Sequence, residues 1–327
     1  MTAKTEAVYS DQKKTILITG GAGFIGSHLC DRLIAENHRI ICLDNLSLGI
    51  KDNIRHLFGH DSFTFIKTDL CAFGKLQNIF KKYTPDTVFH LAANSDIQKG
   101  ALVRDVDLKN TFLSTYNVLE AMAQSTCKKI VFASTSAVYG ELKSKLHENI
   151  GPLFPISFYG SAKLASEAYI SAYCENLNLQ AWIFRFPNVV GERCTHGAVY
   201  DFIGKLRKNP TELIVLGNGT QCKPYLYVKD LIDGILFGFT NSCGKINYFN
   251  LGVNSATTVD TIARIVIEEM GLAGVNIRHT GGDRGWVGDV PVFSYDLSKI
   301  HELGWHAGLD SDSSVRCAVR AELARKK

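Results

Sequence analysis

Thr15-Ile16-Leu17-Ile18-Thr19-Gly20-Gly21-Ala22-Gly23-Phe24-Ile25-Gly26 is a β-branched run that breaks on glycines and passes into an amphipathic stretch. Residues 15–19 predict a buried strand, and the segment from about 24 to 36 predicts a helix. Between them the chain must turn sharply, bring bare backbone close to a ligand, and seat the helix tightly on the sheet. Gly20, Gly23 and Gly26 meet those three demands in turn, and an anion would rest on the helix N-terminus, beside Phe24 and Ile25. An ordinary tight turn is the competing reading of a lone glycine pattern. What separates the two is Asp44, which ends a second predicted strand at 39–43, where a carboxylate can hold both ribose hydroxyls of an adenosine. The combination predicts a dinucleotide site. Asp44 would repel a 2′-phosphate and no arginine follows it immediately, so NAD is expected rather than NADP. Asn45 and Ser47 are placed at the same ribose, their alternative use being to form a turn with Asp44.

Outward from this point, strands and helices alternate. Strands are expected at 64–67, 87–91 and 129–134, with helices near 76–82 and 107–124. That rhythm predicts an α/β fold, a doubly wound parallel sheet of the Rossmann type with a smaller interleaved α/β domain. Residues 14–190 with about 224–254 are expected to form the dinucleotide-binding domain. Residues 191–223 with about 255–327 are expected to form the substrate domain, and 1–13 a flexible tail. Asp69-Leu70 closes the third strand, where an acid can meet an adenine amino group. Leu91-Ala92-Ala93 closes the fourth, where small residues let backbone run beside a cofactor.

The composition fits one such cofactor domain with a smaller partner: 327 residues, 46% of them hydrophobic. With 36 basic against 32 acidic residues, a net charge of +4 and no charged stripe, neither a nucleic acid nor a membrane is an expected partner. No apolar run approaches the ~20 residues that cross a bilayer, and residues 1–14 lack a signal-peptide core, so a cytoplasmic location is expected. Nine cysteines, none in a CxxC pair, predict neither a metal site nor a disulfide framework.

Tyr159-Gly160-Ser161-Ala162-Lys163 sets a phenol and an ammonium one helical turn apart, on one face. Removing a proton from an alcohol while hydride leaves its carbon requires a base that works near neutral pH, and free tyrosine titrates near ~10. A neighbouring lysine charge, joined by a positive nicotinamide, lowers that value, and Lys163 can also hold the nicotinamide ribose. The preceding strand ends in Ser134-Thr135-Ser136-Ala137-Val138-Tyr139-Gly140, which supplies a hydroxyl for the same substrate oxygen. An exposed helical pair is the competing reading of Tyr-xxx-Lys alone.

GGAGFIG, DNLS, HLAA, STSAVYG, YGSAK and FRFPNVVG, in this order and spacing, resemble the extended short-chain dehydrogenase family of nucleotide-sugar epimerases, dehydratases and decarboxylases. The likeness runs from about residue 14 to 305. It implies Tyr159 as base, Lys163 as its partner and Thr135 as the triad hydroxyl, with Ser134, Phe186 and Val189 toward the cofactor. It also implies homodimers formed through two helices, here those near 107–124 and 159–175. Dehydratases of the family carry Thr-Asp-Glu at the hydroxyl position, and decarboxylases usually keep the glutamate. This chain reads Thr135-Ser136-Ala137, which leaves reversible oxidation at C4 of the sugar. The expected reaction is 4-epimerisation of a UDP-hexose. The alternatives are a net C4 dehydrogenase that releases a 4-keto UDP- or GDP-sugar with NADH, and a non-catalytic NAD-binding protein.

The same resemblance places the substrate-side residues. Asn188, in FPNVVG, bonds a diphosphate or sugar oxygen, or else fixes its loop. Lys223 stands where relatives carry arginine for the diphosphate, a point charge in place of a planar fork. Arg284 is expected on the diphosphate and Asp289 on a ribose. Trp286 either stacks on the substrate or anchors a surface loop, and His196 either touches the sugar or caps a helix. Relatives show Asn-x-x-Gly-Thr in the helix near 107–124. Here Ser114-Thr115 take the Gly-Thr positions and Asn110 falls one residue early, so the resemblance gives it no cofactor role.

Overall fold

The computed structural model describes residues 12–285 and 288–325, the side chains of Gln98 and Lys99 apart. The expected tail at 1–13 lies almost wholly outside the described residues, as does Trp286. Seven parallel strands form the central sheet: β1 (Thr15–Thr19), β2 (Arg39–Asp44), β3 (Phe63–Lys67), β4 (Thr87–His90), β5 (Lys129–Thr135), β6 (Gln180–Phe186) and β7 (Ile246–Asn250). Their order across the sheet is β3-β2-β1-β4-β5-β6-β7, so the winding reverses between β1 and β4. A crevice opens at such a reversal, beyond the carboxyl ends of the strands.

Strand alternation builds a core on each face. Ile16, Ile18, Ile40, Cys42, Val131, Ala133, Trp182 and Phe184 point to one side, where they join Leu29 and Leu33 of the helix Phe24–Ala35 and Leu231 and Ile235 of the helix Val228–Thr240. Their neighbours Leu17, Ile41, Leu43, Ile130, Phe132, Ala181 and Ile183 point to the other side, toward Val118 of Ser114–Ala123 and Ile170 of Phe158–Leu177. Period-2 alternation with both faces covered is what makes these strands read as continuous apolar runs. A third cluster gathers Phe202, Ile203, Leu213, Val215, Ile262, Val266, Val315 and Val319. It joins the helices Ala198–Lys208, Val259–Glu269 and Ser311–Ala324 with the parallel pair Glu212–Val215 and Asn276–His279. Among the described residues no helix is long and apolar enough to cross a membrane, and the nine cysteines are free thiols.

The single helix expected over 107–124 is instead three pieces: a short turn at Asp105–Asp107, a π-helical turn at Leu108–Leu113, and the helix Ser114–Ala123. A π turn takes up one extra residue per turn. That matches the one residue by which Asn110 falls early.

Candidate active site

A cleft of about 670 Å³ runs along the carboxyl ends of the strands and into the third cluster. Every residue singled out in the phosphate loop lines it: Gly20, Gly23, Phe24, Ile25 and Gly26. At Gly26 a Cβ would stand 2.2 Å from the Gly20 carbonyl oxygen, so only glycine lets the helix start this close to the turn. Asp44, Asn45, Ser47, Asp69, Leu70, Leu91, Ala92 and Ala93 continue the same wall. The Asp44 carboxylate accepts from the backbone N–H of Leu46 at 2.7 Å and of Ala22 at 3.1 Å, which fixes its orientation. Burial raises its pKa above the ordinary aspartate value, against the pull of those two bonds. The Asn45 amide reaches Asp69 at 3.5 Å. Asn110 and Ser114 both face the cleft, so the π turn restores to Asn110 the wall position that its spacing seemed to deny.

The chemical centre lies where β5 meets the helix Phe158–Leu177. Ser157 caps that helix, its hydroxyl accepting from the Gly160 N–H at 3.0 Å, and so fixes the first turn that carries Tyr159. A Cβ on Gly160 would meet the Ala137 carbonyl oxygen at 2.5 Å, so glycine here lets the helix start abut the strand end. Thr135 caps the short 3₁₀ turn after β5, accepting from the Ala137 N–H at 3.1 Å. The Thr135 hydroxyl also faces the Tyr159 phenol and lowers its pKa. Thr135, Tyr159 and Lys163 all line the cleft. Burial pushes Tyr159 up to about 12, partly opposed by the Thr135 hydroxyl. Burial also pushes Lys163 down to about 7, opposed by the negative charges of Glu167 and Asp107. The Lys163 ammonium donates to the Ala133 carbonyl at 2.6 Å.

Ser134 corrects the sequence reading. Its side chain is not in the cleft wall: strand alternation turns Ala133 and Thr135 toward the cleft and Ser134 toward the helix, where its hydroxyl donates to Glu167. Ser136 lines a small side cavity of about 90 Å³ next to Thr135, shared with Asn188, Lys223 and Asp289.

Phe186 and Val189, expected toward the cofactor, and Asn188, His196, Lys223 and Asp289, expected toward the substrate, are brought together in the cleft wall. Asn188 is exposed to the cleft and its amide is engaged by the Tyr225 hydroxyl. His196 holds the Thr195 hydroxyl at 3.2 Å. Lys223 and Asp289, assigned separately to diphosphate and ribose, form an ion pair with each other, 12% and 3% exposed. Arg284 does not line the cleft. Its guanidinium donates to Glu141 at 2.7 Å and to the Asp289 carbonyl at 2.8 Å, because those acceptors lie within its reach on the outer side of the loop.

One functional group escaped the sequence reading. His90, in the HLAA run, is fully buried and bridges Thr19 (2.6 Å) to Thr115 (2.9 Å), and Ser166 of the catalytic helix reaches the same Thr115 hydroxyl at 3.3 Å. Burial, with the Lys163 charge, pushes His90 down to about 3, so the ring is neutral and, through Thr115 and Ser166, ties β1 to the helix Phe158–Leu177. The signal available was a histidine inside an otherwise apolar strand.

Known proteins resemble this chain in sequence and fold. Over 309 residues the chain is 33% identical to a putative UDP-glucose 4-epimerase of Methanocaldococcus jannaschii, covering 93% of this chain and 97% of that one. It is 29% identical to UDP-glucuronic acid decarboxylase 1 of Xenopus tropicalis, over 80% of this chain and 62% of that protein. The solved UDP-glucose 4-epimerase of Thermus thermophilus, in complex with NAD, superimposes with a TM-score of 0.85 at 27% identity, covering 95% of this chain and 99% of that one. The model of the NAD dependent epimerase/dehydratase family matches residues 16–252, more than two thirds of the sequence. With the glycine loop, the strand-end acid and the Tyr-xxx-Lys helix set around one cleft, the chain belongs to the NAD dependent epimerase/dehydratase family.

Proposed function

We propose that this enzyme interconverts the C4 epimers of a nucleotide-linked hexose, with a UDP-hexose as the first candidate. The observation that carries the reading is Thr135 beside the Tyr159 phenol with Lys163 one turn away, all three in the cleft wall, next to positions 136 and 137 that carry a hydroxyl and a methyl. Eliminating water between C5 and C6 requires an extra acid and base next to the reacting carbon. Ser136 and Ala137 supply neither, whereas oxidation and reduction at C4 require only one proton carrier.

The residues present suit NAD. Gly20 to Gly26 would receive the pyrophosphate, Asp44 the adenosine ribose and Asp69 the adenine. Leu91 to Ala93 would lie along the cofactor's length, and Lys163 and Asn110 would meet its nicotinamide half. NAD, when bound, supplies a hydride acceptor for C4 and a positive charge beside the phenol. Thr135 holds the C4 oxygen, and Tyr159 takes its proton and later returns it. A tyrosine titrating near 12 is a poor base at neutral pH, so the charge of bound NAD and the protonated form of Lys163, which Glu167 and Asp107 favour against burial, would together have to bring the phenol down. Lys223, with Asn188 and Asp289, would grip the diphosphate and ribose, and the third cluster with its three helices would form the substrate domain. Exposed Leu113, Tyr116 and Tyr169, on the segments 108–123 and Phe158–Leu177, suit a second copy of the chain and support a homodimer.

The test is incubation of the purified holoenzyme with UDP-glucose, UDP-galactose, UDP-N-acetylglucosamine, UDP-glucuronate and GDP-mannose, with products resolved by NMR. A C4 epimer without accumulated NADH supports the reading. A 4-keto sugar with stoichiometric NADH makes the chain a dehydrogenase, and loss of water or carbon dioxide places it with the other branches of its family.

A further inference from the structure

Tyr159, Lys163 and Glu167 follow one another at four-residue intervals along one face of the same helix. A carboxylate one turn from a buried ammonium is its natural ion-pair partner, yet the Lys163 ammonium donates to the Ala133 carbonyl instead. The reason is Arg185. Across the β5–β6 pairing it stands opposite Ser134, and its guanidinium takes both oxygens of Glu167. Nε reaches Oε1 at 3.0 Å and Oε2 at 3.2 Å, and Nη2 reaches Oε2 at 2.6 Å. Ser134 donates its hydroxyl to Oε1 as well. The fork is itself held: Nη1 donates to the Tyr139 hydroxyl at 3.1 Å and the Glu148 carbonyl at 3.3 Å, and Tyr139 donates on to Asn250 at 2.7 Å. The side chains of Glu167 and Arg185 are 7% and 9% exposed. A planar fork can saturate a carboxylate in this way and a lysine cannot.

We propose that Arg185 is a positioning residue for the catalytic centre: by occupying both oxygens of Glu167 it keeps that carboxylate off Lys163 and leaves the ammonium to Tyr159 and the cofactor. This rests on the assignment of Tyr159 and Lys163 as the proton-handling pair. The groups that face Lys163 are Tyr159, whose ring centre lies 6.0 Å from its Nζ, and Glu167 from its own helix, Asp107 from the turn before the π-helical segment, and His90 from β4. Of these, Glu167 is the one whose freedom depends on Arg185. The Asp107 carboxylate is held at one oxygen by the Asn94 amide at 3.0 Å, and His90 is locked between Thr19 and Thr115. Without its arginine, Glu167 turns to Lys163 and part of the ammonium charge is withdrawn from the phenol. Tyr159 then titrates higher.

The test is a phenolate absorbance titration of the holoenzyme, in which each variant is read as the difference from the same variant carrying Tyr159→Phe. Arg185→Met is expected to raise the Tyr159 midpoint by about one pH unit or more, the usual reach of one opposite charge at close range. Glu167→Gln removes a negative charge that helps keep Lys163 protonated and so shifts the midpoint on its own, and Glu167→Gln with Arg185→Met is expected to return it to the Glu167→Gln value, because the carboxylate that captured Lys163 is gone. With UDP-galactose as probe, kcat should follow the same order while KM stays level. If Arg185→Met does not fold, Arg185→Lys serves: it keeps the charge but loses the fork, and its raised midpoint should likewise fall when Glu167→Gln is added. A midpoint unmoved by either arginine variant, or a double variant that stays with the single one, overturns the inference. Full turnover by Tyr159→Phe would instead overturn the assignment of the base, which separates the two failures.

Discussion

The two ends of the cleft are made of different material. Under the phosphate loop the wall is backbone and small side chains, and the acid at its edge, Asp44, is oriented by two backbone N–H donors. At the far end Lys223 and Asp289, both expected to grip a substrate, are already paired with one another, while Arg284, expected beside them, stands outside the cleft wall and pairs with Glu141. The first end is preorganised by the path of the chain. On the proposed function the second would have to open the Lys223–Asp289 pair to hold a diphosphate, so its affinity would be a difference between two sets of contacts. Substitutions should therefore act as steric or chemical losses at the first end and as coupled, non-additive changes at the second.

Between the two ends sits Tyr159, where the largest effect is expected. Tyr159→Phe should lower kcat by about a thousandfold with NAD content unchanged, the scale of a lost general base. Steady-state rates together with cofactor released on denaturation would check both parts. At the loop end, Gly26→Ala sets a methyl 2.2 Å from the Gly20 carbonyl. It should cost about 1–3 kcal/mol of stability and most of the bound dinucleotide, read by urea unfolding and by cofactor content.

The same end should carry an acid sensitivity through His90. Its pKa is about 3 in the folded chain against 6.5 for an ordinary histidine, so between those values the unfolded chain binds the extra proton and stability falls as pH falls. This amounts to about 2 kcal/mol between pH 7 and pH 5 by linkage. Urea midpoints at the two pH values should show it, and His90→Gln should flatten the difference.

The smallest effect is expected at the paired end. Lys223→Ala should raise KM for UDP-galactose about tenfold, the worth of one charge-assisted hydrogen bond. Lys223→Ala with Asp289→Ala should cost little more than the worse single change, since the two residues already act on each other. Strict additivity would mean that the ion pair is incidental to binding.

How far the sequence could be read follows the same division. β1, the phosphate-loop helix, Asp44 and Tyr159-xxx-Lys163 were legible because glycine positions, strand ends and helical spacing are local properties of the chain. The π turn at Leu108–Leu113 was not, because spacing alone shows an extra residue and not where it is absorbed. The family resemblance places Ser134 toward the cofactor, whereas strand alternation turns its side chain away from the cleft that Ala133 and Thr135 line. The pairing of Lys223 with Asp289 and the capture of Glu167 by Arg185 join residues 66 and 18 positions apart. Such partnerships depend on the finished fold, and nothing in the local pattern announces them.

The central claim is that hydride leaves C4 of the sugar and returns to the same carbon. The most direct measurement follows UDP-galactose deuterated at C4 through the reaction by NMR. Deuterium retained at C4 of the product UDP-glucose, with no reduced nicotinamide accumulating, is the predicted result. Deuterium found at C6, or held in released NADH beside a 4-keto sugar, would contradict it.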